Sequence, residues 1–424
     1  MLIEFSVKNF LSIWETQVLQ MTAGPAKDLL EKNSFETTIK GLPRLLKSAV
    51  MYGPNGAGKS NLIAALDFMQ RFVLNSSKDS QAGETIKRKP FRLRSDGPLS
   101  PSEFEVFIIR GGVRYQYGFA CTDTRVTQEW LLAYPENRAQ RWFERFFNPE
   151  TDKEEWFFGS KLSGSKKTWR DNTRSNALFL STAVQLNSKQ LKPVYDWFEE
   201  LVIIPHGNEP IPIYTINRCQ DGKDKDRILK FMKTADISVD GIDIEEKRFT
   251  AEDLDLPPDM PPNLQNFYKK ETIGNTFKRA KFIHRMIDSS GDVSFNFGDE
   301  SDGTQKLFNY VDIWFDLLEK GYVLVVDELD TSFHPHLVRF LLSLIHNTAT
   351  NKANGQLIFT THDTSILDQE ILRRDQIWFV EKDANNASRF YSLSDFHPRK
   401  NEALAKGYLQ GRYGALPYIG EVNF

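Results

Sequence analysis

Gly53-Pro-Asn-Gly-Ala-Gly58-Lys59-Ser60 gathers three glycines and a proline into eight positions, a composition that only a sharply turned loop accommodates. The flanks decide what this loop does to the fold. LKSAVMY, just before it, is a short apolar run that reads as a strand entering the loop directly. Behind it Leu62, Leu66, Met69 and Val73 recur at helical spacing, so NLIAALDFMQRFVL is expected to be an amphipathic helix starting at the loop. A strand, a glycine turn and a helix in that order call for a layered α/β packing with the loop at a sheet edge. They also aim a helix N-terminus and several backbone N–H groups at one point, which suits an anion.

The eight residues match the Walker A pattern G-x-x-x-x-G-K-S in full. The expected nucleotide contacts are Asn55, Gly56, Ala57, Gly58, Lys59, Ser60 and Asn61, and the expected cofactors are ATP and Mg²⁺. Lys59 would neutralise the β- and γ-phosphates, and Ser60 Oγ would ligate the metal. Far along the chain, Tyr322-Val-Leu-Val-Val-Asp327-Glu328 is an apolar strand ending in two acids. Strands of an α/β sheet end at the ligand crevice, so Asp327 suits the Mg²⁺ shell and Glu328 suits a general base. Phe359-Thr-Thr-His362-Asp363 ends another strand and places His362 where it could touch a γ-phosphate. Ser301-Asp302-Gly303-Thr304-Gln305, just before a helix, offers a second anion cradle.

The remaining chain supplies the frame. In SEFEVFIIRGGVRYQYGFAC, Phe104, Val106 and Ile108 share one face, and Val113, Tyr115, Tyr117 and Phe119 share one face of the next strand, with Gly111-Gly112 as a two-residue turn. From about Glu150 the pattern reads as charged, aromatic-rich helical segments; CQDGKDKD from Cys219 and LDLPPDMPPN from Leu254 read as exposed loops. Strands resume with VSFNF at Val293, YVLVV at Tyr322, QLIFTT at Gln356 and QIWFVEK at Gln376, the last three separated by helical stretches as in a parallel layer. The expected division is an N-terminal lobe over 1–150, a mainly helical insertion over 151–285 and a C-terminal lobe over 286–424.

A net charge of −3 gives no basic excess for coating nucleic acid. The stretch KLSGSKKTWRDNTRSN, from Lys161, sets Lys and Arg around Trp169 and reads either as a polyanion surface or as a solvated charged loop. Cys121 and Cys219 form neither a metal spacing nor a disulfide framework, and His334 and His336 read as loop residues. The opening MLIEFSVKNFLS has no signal-peptide h-region, and no apolar run is long enough to cross a bilayer, so a cytoplasmic protein without membrane contact is expected.

The order Walker A, SDGTQ, acidic strand end, Asp330, His362 resembles ABC-type ATPases, in which these parts are the signature motif, Walker B, D-loop and switch histidine. The resemblance implies an α/β P-loop ABC-type ATPase head, a parallel sheet plus an N-terminal antiparallel sheet, with a helical insertion domain. It also implies that Ser301, Asp302, Gly303, Thr304 and Gln305 of one subunit complete the ATP site of another, with Asp330 at the seam and Glu328 and His362 catalytic. SDGTQ departs from the common LSGGQ at Asp302 and Thr304. The family's Q-loop glutamine, a further metal-site residue, corresponds to Gln185 in NALFLSTAVQLN, with Gln81 as rival.

From Lys59 to Ser301 the chain runs 242 positions, more than a transporter domain uses there and too few for the long arms of SMC proteins. IEFSVKNFLSI, GPNGAGKSNLIAAL, ESDGTQKLF, VVDELDTSFHP, IFTTHDTSILD and YLQGRYGALPYI resemble the stand-alone RecF/SMC-type ATPases of prokaryotic anti-phage defence systems, the RloA-like and AriA-like group. That implies an ATP-dependent head dimer or higher oligomer, a separate effector protein (a nuclease), and a phage-derived trigger or DNA as further partner. A RecF-like DNA-repair ATPase is the alternative.

Overall fold

The structure, a computed structural model, describes residues 1–79, 81–207, 210–248, 250, 260–400 and 402–418. The chain forms two compact units, Met1–Asn208 with Asp316–Phe424, and Glu209–Phe315.

The first unit holds two large sheets. One has the strand order Val202–Ile204, Val323–Val326, Gln356–Thr360, Ser48–Tyr52, Ile377–Lys382, Ser388–Ser392. Its first five strands are parallel and the last is antiparallel. SAVMY, VLVV and QLIFT are buried at every position, as expected where a parallel sheet is covered on both faces. The other sheet is antiparallel and seven-stranded, running from Lys153–Phe158 through Gln140–Asn148, Val126–Tyr134, Val113–Cys121, Ser102–Arg110 and Leu2–Lys8 to Gln17–Gln20. Arg110 pairs with Val113 across Gly111 and Gly112, whose φ values of 57° and 76° are those of the two-residue turn read from the sequence.

The helix Lys59–Asn75 packs on the antiparallel sheet: the ring of Phe68 lies 5.1 Å from Phe104, and that of Phe72 lies 5.3 Å from Phe119. Leu62, Leu66, Met69 and Val73 are buried in one core with Met51, Val325 and Ile358 of the parallel strands and Val106 and Tyr117 of the antiparallel ones. Gln356 ties the sheets together at their edge. Its Oε1 accepts from Leu2 N–H at 2.6 Å, while its Nε2 donates to the carbonyls of Leu2 and Leu46.

The second unit differs from the helical insertion expected over 151–285. Residues 151–208 belong to the first unit, and Lys153–Phe158 is the edge strand of its antiparallel sheet. Glu209–Phe315 contains a three-stranded antiparallel sheet, Gly241–Arg248, Thr276–Arg285 and Asp292–Asn296, beside the helices Ile213–Arg218, Gly222–Thr234 and Pro262–Thr272. Ile242, Ala280 and Phe282 are buried on one face, while Asp243, Glu245 and Arg279 are exposed on the other. That leaves charge at alternate positions of the strands, which hides them from an apolar-run reading. GKDKD, read as loop, is the first turn of Gly222–Thr234, capped by Asp221 accepting from Lys223 N–H at 2.9 Å. The proline-rich stretch at 254–259 lies outside the described residues. Among the described residues, no helix is long and apolar enough to cross a membrane.

Candidate functional site

Strand Ser48–Tyr52 delivers the chain into the glycine loop at the sheet's edge. Two glycines there are required by space as well as angle. A Cβ on Gly53 would stand 2.2 Å from Val380 O, and one on Gly58, whose φ is +110°, would stand 2.1 Å from Ser388 Oγ. Gly58 caps the following helix without a side-chain bond, and Asn61 N–H donates to Gly58 O at 3.0 Å, which leaves the Lys59 and Ser60 amides of the first turn to face a ligand. Asn55, Gly56 and Ser60 are exposed and Ala57 is buried. Asn61 gives its side-chain amide to Ser12 Oγ, and Ser388 Oγ donates to Ala57 O, so the loop is braced from both lobes of the unit.

Lys59 is buried, and its Nζ donates to Gly53 O at 2.8 Å and to Pro54 O at 3.4 Å. The same nitrogen lies 3.2 Å from His362 Nε2. Burial pulls the Lys59 pKa below the ordinary lysine value, against the opposite pull of Glu328, Asp327 and Asp330.

The acids sit at the ends of the neighbouring strands. Strand Val323–Val326 lies beside Gln356–Thr360, which lies beside the strand entering the cradle. Asp327, directly after the first of these, is 7% exposed, and its Oδ1 accepts from Thr360 Oγ1 at 2.6 Å. Glu328 holds a left-handed φ of 53°, and its N–H donates to Thr360 Oγ1 at 2.7 Å. Asp330 Oδ2 accepts from His362 N–H at 3.2 Å, and Asp330 Oδ1 is buried with no partner among the described residues. The sheet therefore brings Lys59, Asp327, Glu328, Asp330 and His362 to one edge.

His206 was not anticipated. Its Nδ1 lies 3.1 Å from Glu328 Oε2. It follows Val202–Ile204, which extends the parallel sheet on the outer side of Val323–Val326. The signal was present in LVIIPH, a short apolar run like those that end at Asp327 and His362.

Neither glutamine candidate is brought to the cradle. Gln185 ends the helix Phe179–Gln185 and is exposed. Ser181 of that helix donates to Val73 O, and Ser76 Oγ donates to Ser181 Oγ, so the helix packs at the far end of Lys59–Asn75. Val73 lies thirteen positions after Ser60, about 20 Å along a helix axis. The start of the Gln185 helix is fixed there by Glu129, which accepts from Phe179 N–H and Leu180 N–H and pairs with the buried Arg145. Gln81 lies past the same end, its carbonyl accepting from Asn176 Nδ2. The remaining donors, Ser60 and Asp327, with phosphate oxygens, are a set suited to Mg²⁺, which takes one or two carboxylates rather than a protein cage. No group of three or more His, Cys, Asp or Glu able to hold a metal occurs among the described residues.

In the second unit Ser301 precedes the helix Asp302–Lys320 and caps it, its Oγ accepting from Thr304 N–H at 3.2 Å and lying 2.9 Å from Thr304 Oγ1. Ser301 and Asp302 are exposed, Gly303 is half-buried, and Thr304 is buried. Gln305 Nε2 donates to Glu300 O at 2.7 Å, and Glu300 Oε1 lies 2.7 Å from His284 Nε2. Two other sequence readings are revised. Trp169 is 5% exposed and packs edge-on to Phe179, so its ring has no face for a base. His334 is a helix cap, accepting from His336 N–H through Nδ1 at 3.2 Å at the start of Pro335–His346.

No curated protein matches the sequence. Among solved structures the chain is similar to an SMC head bound to the C-winged helix domain of ScpA, at 13% identity and a TM-score of 0.40 over 92% of this chain and 97% of that one. It is also similar to the SMC head domain from Thermotoga maritima, at 14% identity and a TM-score of 0.38 over 92% of this chain and 98% of that one. Residues 48–368 match the family described as "AAA domain, putative AbiEii toxin, Type IV TA system". That match opens on the strand entering the cradle and closes just beyond the histidine turn, taking in the helix start at Lys59 and the strand ends followed by Asp327, Glu328 and His362; the chain belongs to this AAA-domain ATPase family.

Proposed function

We propose that the chain is a Mg²⁺-dependent ATPase that closes and opens as a dimer of heads, and that it acts as the sensor or regulatory subunit of an anti-phage defence system controlling a separate effector nuclease. The observation that carries the ATPase reading is the Lys59–His362 contact on the sheet edge that also holds Glu328. When bound, ATP with Mg²⁺ supplies the phosphoanhydride bond and neutralises part of its charge. Lys59 and the first-turn amides hold the phosphates, and Ser60 and Asp327 hold the metal. Glu328 takes the proton of the attacking water, and His362 moves from Lys59 to the terminal phosphate. Ser301 to Gln305 of the second head cover the site, with Asp330 at the seam. The defence role is supported by the family description, which names a toxin of a toxin–antitoxin system, and by the resemblance of both chain ends to defence ATPases.

Glu328→Gln tests the chemistry. It should bind ATP, hydrolyse it about 10²–10⁴-fold more slowly, and sediment as a larger species with ATP, because a ligand specific to the closed form pulls the equilibrium to it. Hydrolysis at the wild-type rate would remove Glu328 as the base. The regulatory reading is tested by purifying the native complex, where a nuclease is expected to accompany the chain. Cleavage of DNA by the chain alone, lost in a point mutant of it, would overturn that reading.

A further inference from the structure

The two acids that follow strand Val323–Val326 are joined by a group that has no part in the proposed reaction so far. Thr360 is fully buried at the end of the neighbouring strand. Its Oγ1 donates to Asp327 Oδ1 at 2.6 Å and accepts from Glu328 N–H at 2.7 Å, and its carbonyl accepts from Leu329 N–H at 3.1 Å. One threonine thus engages three successive residues of the acidic turn. A hydroxyl has one proton to donate and lone pairs to accept with, so the two side-chain bonds use it in both senses and fix its rotation. The β-branch adds stiffness at χ1. Glu328 meanwhile sits at φ 53°, a left-handed conformation that a non-glycine residue keeps only when its surroundings hold it there.

We propose that Thr360 is a positioning residue for the hydrolytic step. Its hydroxyl holds the Glu328 backbone in the left-handed turn and at the same time orients the Asp327 carboxylate, so the general base and the metal-site acid are set relative to one another by one atom. Neither acid can shift without breaking a bond to the same oxygen. The inference rests on the ATPase reading for its consequence in rate, though the linkage itself can be read without nucleotide.

Thr360→Val keeps the shape and removes the hydroxyl, and Thr360→Ser keeps the hydroxyl. The expected result is a kcat about 10–100-fold lower in Thr360→Val, the range seen when a residue supporting a metal or catalytic group is lost. The affinity for a nonhydrolysable ATP analogue should change by less than about threefold, and Thr360→Ser should keep kcat to within about threefold. A folded Thr360→Val enzyme with wild-type kcat overturns the proposal, and so does Thr360→Ser as impaired as Thr360→Val, because the hydroxyl would then not be the cause. Hydrogen exchange at the Glu328 amide is the second readout. Slow exchange in the wild-type protein, accelerated in Thr360→Val, is expected. Exchange of the wild-type amide at the rate of an open loop overturns the proposal, whether or not the valine variant folds. Absence of ATP hydrolysis by the wild-type protein would count against the ATPase reading, while the exchange measurement still decides the linkage.

Discussion

Lys59 Nζ lies 3.2 Å from His362 Nε2. An ammonium has donors only, so a charged Lys59 makes this contact with the facing ring nitrogen as acceptor. The lysine is held by two carbonyls and a ring where phosphate oxygens would replace them. His362 is also tied through its own N–H to Asp330. A change at the phosphates is thus two bonds from the residue expected at the subunit seam.

Lys59→Ala removes the ammonium from the cradle. Losing a charge-assisted contact should weaken binding of a nonhydrolysable ATP analogue by about 10- to 100-fold, with the far-UV circular dichroism unchanged. Calorimetric titration measures it, and unchanged affinity would count against the cradle assignment.

If Ser301 works across the seam, Lys59→Ala and Ser301→Arg damage opposite halves of each composite site. Each variant alone should be inactive. A mixture should regain a fraction of the ATPase rate, because a mixed dimer carries one intact site beside one doubly damaged site. No recovery, with ATP held equally by Ser301→Arg alone and by the mixture, would show that each chain builds its own site.

His346 is buried with Nε2 2.9 Å from Ser48 Oγ, and burial lowers its pKa from 6.5 to about 3. The unfolded chain takes up a proton as pH falls through 6.5, and the folded chain does not until about 3. Stability should therefore fall with pH inside that window, by up to about 1.4 kcal/mol per pH unit from this group. Urea unfolding of His346→Gln between about pH 6 and about pH 4.5 should show a slope shallower by one proton. An unchanged slope would assign the acid sensitivity elsewhere.

Trp169→Ala tests which reading of the Lys161–Asn176 stretch holds. As a core residue it should cost about 3–5 kcal/mol of stability, whereas Lys167→Ala, at an exposed position, should stay within about 0.5 kcal/mol. A stable Trp169→Ala protein that loses affinity for single-stranded DNA would restore the nucleic-acid reading.

What could be read from the sequence follows the way each segment is buried. Ser48–Tyr52, Val323–Val326 and Gln356–Thr360 are covered on both faces, so their apolar runs stand out, and the residues that end them are placed with them. The Gly111-Gly112 turn is marked by two residues that tolerate positive φ. The sheet of the second unit is covered on one face, and Glu245, Glu246 and Lys247 in its first strand look like a solvated helix. Chain order alone sets Gln185 after the antiparallel strands, but the Glu129 contacts that carry its helix to the far end of Lys59–Asn75 are made between residues about 50 apart. The Thr360 link and the His206 contact are equally non-local, and adjacency of strand ends is visible only once the strand order is known.

That strand order also governs how the protein can be made. Ser48–Tyr52 has its two partners at Gln356–Thr360 and Ile377–Lys382, so the strand that begins the nucleotide cradle leaves the ribosome with neither neighbour in existence. At about 5–20 residues per second, the roughly 330 residues from Tyr52 to Lys382 take on the order of 15–65 s to synthesise. Throughout that interval an apolar strand with two open edges must be kept from pairing with other chains. A nascent or truncated chain would hold a complete glycine loop with no acidic turn or histidine beside it. Only a chain translated through Ile377–Lys382 can pair Ser48–Tyr52 on both sides, and termination before that strand would yield an aggregation-prone fragment.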